Sequence, residues 1–105
     1  MIVVRNKTFK YNNILSVPDE LPGIYSFWFN GKCIYVGETT KQSLQKRLLN
    51  HYLKCHNNCL KNWINSRFNI YFNFEAINDS IIIKEKEEYL IKFWDPVCNI
   101  KGRKK

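Results

Sequence analysis

The fold is decided by one stretch in the first third of the chain: Gly23-Ile24-Tyr25-Ser26-Phe27-Trp28-Phe29-Asn30-Gly31-Lys32-Cys33-Ile34-Tyr35-Val36-Gly37. Residues 24–29 and 33–36 are rich in β-branched and aromatic side chains, which favour strands. Asn30-Gly31 lies between them, and this dipeptide between two β-rich runs is the strongest short-range signal of a hairpin. The sequence therefore predicts two antiparallel strands, the second of which ends at Gly37.

Helices are predicted on the C-terminal side of this hairpin. One is expected from Gln42 to Lys54 because it carries leucines at helical spacing, at positions 44, 48, 49 and 53. A short helix is expected from Cys59 to Ser66. Asp79 is a suitable N-cap for a last helix that runs to Trp94, where Asp95-Pro96 ends it.

A third strand is predicted in residues 68–75, where Phe68, Ile70, Phe72 and Phe74 alternate with other residues. Residues 1–21 are interpreted as an irregular, partly extended N-terminal arm that leads into turn residues. Together the elements predict an α+β fold with a small three-stranded, mainly antiparallel sheet flanked by helices. A chain of 105 residues fits one domain, with a core over 22–99 and a tail over 100–105.

Composition and charge restrict the class of protein. Hydrophobic residues make up 45% of the chain, which is enough for one core. The net charge of +8 favours polyanionic partners, with nucleic acid first and an anionic membrane surface second. No run of about 18 apolar residues could span a membrane, and the start does not resemble a signal peptide. A cytoplasmic, non-secreted protein with four reduced cysteines is therefore expected.

The basic residues are unevenly distributed. No acidic residue lies between Glu38 and Glu75, whereas the last helix region, 79–95, carries five acids against three lysines. Most such charges belong to a solvated surface, and the following are the candidates for nucleic-acid binding: Lys41, Lys46, Lys54, Lys61, Arg67, Lys101, Arg103, Lys104 and Lys105. These residues would contact the phosphate backbone and give sequence-independent, salt-sensitive binding.

Glu87 is anomalous within the last helix. At 100° per residue, Ile83, Glu87, Leu90 and Trp94 fall within about 60° of one another, so a carboxylate interrupts the apolar face. A buried carboxylate needs a cation, a metal ion or several hydrogen-bond donors. The alternative is a helix rotated so that Glu87 lies at the rim of that face.

Two further groups have alternative interpretations. Arg47 and His51 are one helical turn apart and can face one phosphate, although a surface arginine beside a core histidine is the simpler interpretation. The cluster Cys55-His56-x-x-Cys59 has some likeness to a zinc site. Structural zinc sites usually have four ligands in two spaced pairs, so small buried side chains are the favoured role for these cysteines.

These residues together resemble the GIY-YIG endonuclease family. Gly23-Ile24-Tyr25, nine further residues and Tyr35-Val36-Gly37 match its two-part signature, with valine at 36 in place of the commoner isoleucine. The resemblance extends from about Pro22 to Asn99 and includes the family's arginine, histidine, glutamate, aliphatic, proline and asparagine positions, at Arg47, His51, Glu87, Ile91, Pro96 and Asn99. His56 resembles a histidine found in only some branches.

The resemblance implies an endonuclease that hydrolyses DNA with one Mg²⁺, for which Mn²⁺ may substitute, and leaves 5′-phosphate and 3′-hydroxyl ends. Glu87 would hold the metal and Arg47 would neutralise the scissile phosphate. Either Tyr25, assisted by Tyr35 or His51, or His51 itself would be the general base. The supporting residues would be His56, the asparagine Asn99, which braces the site or caps the helix end, and two glycines that allow close backbone approach, Gly23 and Gly37.

Other functions remain open at this stage. The same fold could be a catalytically inactive nucleic-acid-binding module, or a nuclease that acts on RNA or branched DNA. A membrane-surface or protein-interaction domain would not explain Glu87. One active site cuts one strand, so a double-strand break would need a homodimer or a second binding event. Specificity could also come from a partner protein.

Overall fold

The computed structural model describes residues 3–99, with side chains from residue 7 onward. Four strands and four helices follow one another in this order: β1 (Val3–Thr8), α1 (Tyr11–Leu15), β2 (Gly23–Phe29), β3 (Lys32–Thr39), α2 (Leu44–Lys54), α3 (Asn58–Ile64), β4 (Tyr71–Ala76) and α4 (Ser80–Trp94). No helix within 3–99 is long and apolar enough to cross a membrane.

The strands form one antiparallel sheet in the order β1-β4-β2-β3, which confirms the α+β fold with helices on the sheet. The predicted hairpin joins β2 to β3, with Tyr25 opposite Gly37. Its two turn residues, Asn30 and Gly31, both have positive φ, at 53° and 78°. This is the conformation that matches the twist of paired strands and that Asn-Gly adopts readily.

The prediction of three strands is wrong in number, because β1 forms a fourth strand at the edge of the sheet beside β4. Residues 3–8 do not alternate between apolar and polar side chains, so their sequence lacks the period of a strand with one buried face. Residues 3–8 form a strand because their backbone pairs with β4, which the pattern of their side chains does not reveal. The same N-terminal segment contains α1, which was not predicted.

The three predicted helices, α2, α3 and α4, begin close to their predicted positions, and a side chain caps the N-terminus of each. The side chain of Ser43 accepts a hydrogen bond from the backbone N–H of Lys46 at the start of α2. Asp79 accepts from two backbone N–H groups at the start of α4, as predicted. Asp95 ends α4 in the left-handed conformation and is followed by Pro96.

The two faces of the sheet are covered by different helices. One cluster of buried side chains, which includes Tyr25 and Phe27, packs against α2 and α3, and a second, which includes Ile83, lies beneath α4. A register shift after Phe27 leaves Ile34 without a cross-strand partner. Because of this bulge, Ile34 and Tyr35 both pack against the α2 side of the sheet.

The prediction of four reduced cysteines is wrong for two of them. Cys59, on α3, forms a disulfide with Cys98, which follows α4. The chain after α4 runs beside α3 and brings their Cα atoms to 5.4 Å, a distance at which two cysteines can be bridged. The pairing joins residues 39 positions apart, and this proximity cannot be deduced from cysteine spacing alone. Cys33 and Cys55 are free thiols.

Candidate active site

Tyr25 is the buried centre of a group of polar side chains on the α2 face of the sheet. Its hydroxyphenyl group lies against Gly37 on the neighbouring strand. A Cβ at position 37 would come well inside van der Waals contact with the tyrosine Cζ and Oη. Position 37 therefore requires glycine if Tyr25 is to keep this orientation. Gly23 meets a similar restriction, since a Cβ there would clash with the backbone carbonyl oxygen of Glu75.

A directed chain of hydrogen bonds runs through the Tyr25 hydroxyl. Arg47 Nε donates to Tyr25 Oη over 3.3 Å, and Tyr25 Oη lies 2.7 Å from His51 Nε2. A guanidinium group can only donate, so the Tyr25 hydroxyl accepts from Arg47 and its own hydrogen is available to His51 Nε2. The neutral imidazole accepts that hydrogen when its own proton is on Nδ1, the nitrogen that faces the sulfur of Cys55.

The chain continues on the other side of the imidazole ring. His51 Nδ1 lies 3.4 Å from Cys55 Sγ, one helical turn further along α2. The thiol of Cys55 in turn donates to the carbonyl oxygen of Asn57 over 3.6 Å. The sequence favoured packing over a zinc site as the role of Cys55, whereas its sulfur is a hydrogen-bond partner of His51.

The protonation states of the central groups agree with this chain. Burial raises the pKa of Tyr25 well above its usual value, and the nearby Tyr35 adds to the effect while Arg47 opposes it. Burial also raises the pKa of Tyr35. Burial lowers the pKa of His51 to about 4, and the positive charges of Arg47 and His56 contribute. At neutral pH both tyrosines are therefore protonated and His51 is neutral.

We expect the buried neutral His51 to destabilise the fold in acid. Its folded pKa lies below the unfolded value, so between pH 6.5 and about 4 the unfolded chain binds a proton that the folded chain excludes. The free energy of unfolding should fall through this window, by up to about 3 kcal/mol, and this loss should be absent above it. Urea unfolding at about pH 7 and about pH 4.5 measures the difference.

His51→Gln supplies the control for this prediction. Carboxylates also titrate in acid, and their contribution is common to both proteins, so the variant should retain only that part of the pH dependence. The expected result is a smaller loss of unfolding free energy on acidification in the variant. An equal loss in the two proteins would show that His51 is not buried in its neutral form.

A cleft of about 290 Å³ opens beside this group, and its lining combines aromatic, basic and amide side chains: Tyr35, Arg47, Asn50, His51, Lys54, His56 and Asn57. Lys54 and His56 are exposed at its rim. A larger cleft of about 590 Å³ lies beside α4, but among the predicted catalytic residues only Tyr25 borders it. The smaller cleft is therefore the candidate active site.

Glu87 lies on α4, near the tyrosine hydroxyls. Ile83 and Ile91 are buried on this helix, whereas Glu87 is only partly buried, as the alternative interpretation of the helix proposed. Its negative charge raises the pKa values of both Tyr25 and Tyr35, so the carboxylate acts electrostatically on the same group of side chains. The folded chain thus brings the predicted tyrosines, arginine and histidine into contact and places the predicted glutamate within electrostatic reach of both tyrosines.

A second acidic residue, Glu38, was not singled out from the sequence. It directly follows Gly37 on β3, and its Oε1 forms an ion pair with Lys84 Nζ of α4 over 2.9 Å. Its Oε2 is buried and has no hydrogen-bond partner among the described residues. The charge of Glu38 also raises the pKa values of Tyr35 and Arg47. The only sequence signal was its position at the end of the second hairpin strand.

Asn99 lies against the outer edge of the hairpin. Its side-chain Oδ1 accepts from Val36 N–H over 2.8 Å, and its Nδ2 donates to Val36 O over 2.9 Å. Strand β3 is at the edge of the sheet, so the N–H and C=O groups of Val36 have no neighbouring strand on this side. The buried amide of Asn99 pairs with both of them. Val36 lies between Tyr35 and Gly37, and Asn99 therefore braces the part of β3 that carries the site.

The predicted nucleic-acid-binding residues are distributed over a wider surface. Five of them are exposed, namely Lys41, Lys46, Lys54, Lys61 and Arg67. Among these, only Lys54 lines the cleft. The four in the tail, Lys101, Arg103, Lys104 and Lys105, lie outside the described residues.

Tyr25, Arg47 and His51 form one hydrogen-bonded group with the carboxylate of Glu87 nearby, and such a set of side chains can bind a phosphate and transfer a proton. The chain belongs to the GIY-YIG family: the profile of the GIY-YIG catalytic domain matches residues 21–96. This confirms the resemblance drawn from the sequence. No significant relative is found among curated proteins.

Solved structures show the same fold. The chain is similar to the magnesium-bound GIY-YIG N-terminal endonuclease domain of UvrC from Thermotoga maritima, with 24% identity over 85% of this chain and 93% of that one and a TM-score of 0.68. A point mutant of that domain, bound to its catalytic divalent cation, matches with 23% identity over 86% and 93% and the same TM-score.

Proposed function

We propose that the protein is a Mg²⁺-dependent endonuclease that hydrolyses phosphodiester bonds of DNA and leaves 5′-phosphate and 3′-hydroxyl ends. The observation that carries the proposal is the chain of hydrogen bonds from Arg47 through Tyr25 to His51, at a cleft with a basic rim. An inert binding module would not need a buried tyrosine between a cation and a neutral imidazole.

Arg47 is the group proposed to bind the scissile phosphate. Its Nε–H is donated to Tyr25, and within residues 3–99 the two terminal amino groups of the guanidinium have no hydrogen-bond partner. The residue is partly buried and lines the cleft, so its charge is less screened than that of a surface arginine. Arg47 is thus suited to stabilise the charge that develops on the phosphate during attack.

Tyr25 and His51 are proposed to move the proton of the attacking water together. The raised pKa of Tyr25 argues against a stable tyrosinate, so the hydroxyl must give its proton to His51 Nε2 as it accepts one from water. A phosphate beside Arg47 would offset part of the positive charge that lowers the pKa of His51. Substrate binding would then make His51 a better acceptor. Tyr35 places a second hydroxyl-bearing ring at the cleft.

Glu87 is proposed to hold the divalent cation. The described residues contain no group of three or more histidine, cysteine, aspartate or glutamate side chains that could hold a metal, so a single-carboxylate site fits best. Mg²⁺ suits such a site because it keeps several waters and accepts one or two carboxylates. When bound, it would supply Lewis-acid stabilisation to the phosphate and the leaving oxygen. We expect Mn²⁺ to substitute.

Incubation with supercoiled plasmid tests the proposed function. With Mg²⁺ the protein should convert it to the nicked form, since one active site cuts one strand, and EDTA should prevent this. DNA ligase should reseal the nicks, because ligation requires 5′-phosphate and 3′-hydroxyl ends. The activity must co-elute with the protein in size-exclusion chromatography, which excludes a contaminating nuclease.

Two outcomes would contradict the proposal. Cleavage that persists in EDTA would rule out the metal-dependent mechanism. Salt-sensitive binding of DNA without cleavage would support an inactive binding module on the same fold. Parallel reactions with RNA and with branched DNA identify the preferred substrate. We propose that a homodimer or a partner protein supplies any sequence specificity.

A further inference from the structure

One carboxylate oxygen of Glu38 is buried without a hydrogen-bond partner among the described residues. This oxygen is Oε2, whereas Oε1 is paired with Lys84. The side chain is only 16% exposed, whereas that of Lys84 is 61% exposed. Leaving one oxygen of an ionised carboxylate unpaired and out of water is unfavourable. A donor or a cation that is supplied only during function would satisfy this oxygen.

The ion pair with Lys84 places Glu38 near Glu87, because Lys84 and Glu87 are three residues apart on α4 and therefore lie on the same side of the helix. Lys84 forms its ion pair with Glu38, and its pKa is raised by that bond and also by the charge of Glu87. Tyr35 is likewise affected by both carboxylates, which add to the increase in its pKa caused by burial. The two acidic side chains therefore act on the same lysine and the same tyrosine, one from the end of β3 and the other from α4.

We propose that Glu38 is a second carboxylate of the metal centre and supports the cation held by Glu87 through the water in its outer coordination sphere. This inference rests on the proposed function, since it requires a divalent cation at Glu87. An outer-sphere role fits because Lys84 already neutralises Oε1, which disfavours direct coordination. Waters on Mg²⁺ are strong hydrogen-bond donors, and Oε2 of Glu38 is an acceptor that no described residue pairs with.

Mn²⁺ binding measured by electron paramagnetic resonance tests the inference without reference to cleavage. Glu38→Gln keeps the shape of the side chain and removes the charge, and it should raise the Mn²⁺ dissociation constant about tenfold, as is typical of outer-sphere partners. Glu85→Gln is the matched control, because it removes one negative charge from an exposed position of α4. The control should bind Mn²⁺ like the wild type. An unchanged dissociation constant in Glu38→Gln would overturn the inference.

Lys84→Ala gives a second readout at an exposed position that does not threaten the fold. Removing the lysine frees the charge of Glu38, so Mn²⁺ binding should become tighter. Part of that gain would come from Glu87 alone, and the Lys84→Ala, Glu38→Gln double variant separates the two contributions. A smaller gain in the double variant supports the role of Glu38, and an undiminished gain contradicts it.

Glu87→Gln distinguishes this inference from the proposed function. If Glu87→Gln weakens Mn²⁺ binding and Glu38→Gln does not, the metal site stands and the role of Glu38 is wrong. If the wild type binds no Mn²⁺, or Glu87→Gln binds it unchanged, the proposed metal centre fails together with the inference. Circular dichroism of each variant confirms that a loss of binding does not reflect unfolding.

Discussion

Replacing Glu87 by glutamine is expected to lower the single-turnover rate of Mg²⁺-dependent DNA cleavage by about a thousandfold or more, the scale of losing a principal source of transition-state charge stabilisation. Glutamine has nearly the same shape as glutamate but carries no charge, and Mg²⁺ binds neutral amide oxygens weakly when no other carboxylate ligates it. The charge of Glu87 already acts on the hydroxyls of Tyr25 and Tyr35, so its loss alters the site where the water is activated.

The measurement uses enzyme in excess over labelled duplex DNA, so that product release does not limit the rate. Glu88→Gln is the matched control, since Glu88 is the next residue of α4 and is exposed. The control should cleave at the wild-type rate. A Glu87→Gln variant that keeps a tenth of the wild-type rate, at a Mg²⁺ concentration that is not saturating, would contradict the assignment of Glu87 as the metal ligand.

The parts of the fold that the sequence predicts well are those set by local chemistry. The hairpin depends on Asn30-Gly31, and α4 on Asp79 at one end and Pro96 at the other, so a few residues determine each boundary. Strand β1 differs, because its order comes from pairing with β4, far away in sequence. Its side chains lack a two-residue period, and only the assembled sheet defines it as a strand.

The residues of the candidate site likewise fall into those that the sequence predicts and those that only the folded structure reveals. Helical spacing brings Arg47 and His51 to one edge of α2, and the family resemblance adds Tyr25, Tyr35 and Glu87. The roles of Glu38 and Cys55 depend on contacts across the fold or on side-chain direction, which spacing does not specify. The Cys59–Cys98 disulfide also depends on the path of the chain after α4.

Gly37 of the family signature explains why this site is built on a hairpin. Without a Cβ at Gly37, the ring of Tyr25 can lie against β3 while its hydroxyl contacts His51 of α2. Asn99 then holds the backbone of the same strand from its outer edge. A displacement of β3 would move Gly37 against the ring of Tyr25, so the position of this strand affects the hydrogen bond between Tyr25 and His51.

Replacing Tyr25 by phenylalanine is expected to lower the single-turnover rate about a thousandfold, within the range for loss of a group that transfers a proton in the transition state. The ring would keep its place against Gly37, since only the oxygen is removed. The loss leaves Arg47 Nε and His51 Nε2 without their shared partner, which should cost about 1–3 kcal/mol of stability. Urea unfolding separates that cost from the effect on cleavage.

Tyr52→Phe is the control for this prediction, because Tyr52 lies next to His51 on α2 and is exposed. It should cleave at the wild-type rate. The pH dependence gives a second readout: in the wild type the rate should fall as His51 becomes protonated. This fall should be weaker in Tyr25→Phe, which lacks the hydrogen bond through which we propose that His51 accepts the proton of the water. A near-normal rate in Tyr25→Phe would show that the water gives its proton directly to His51. In that case the tyrosine would only orient the imidazole, and His51→Gln would be the variant that abolishes cleavage.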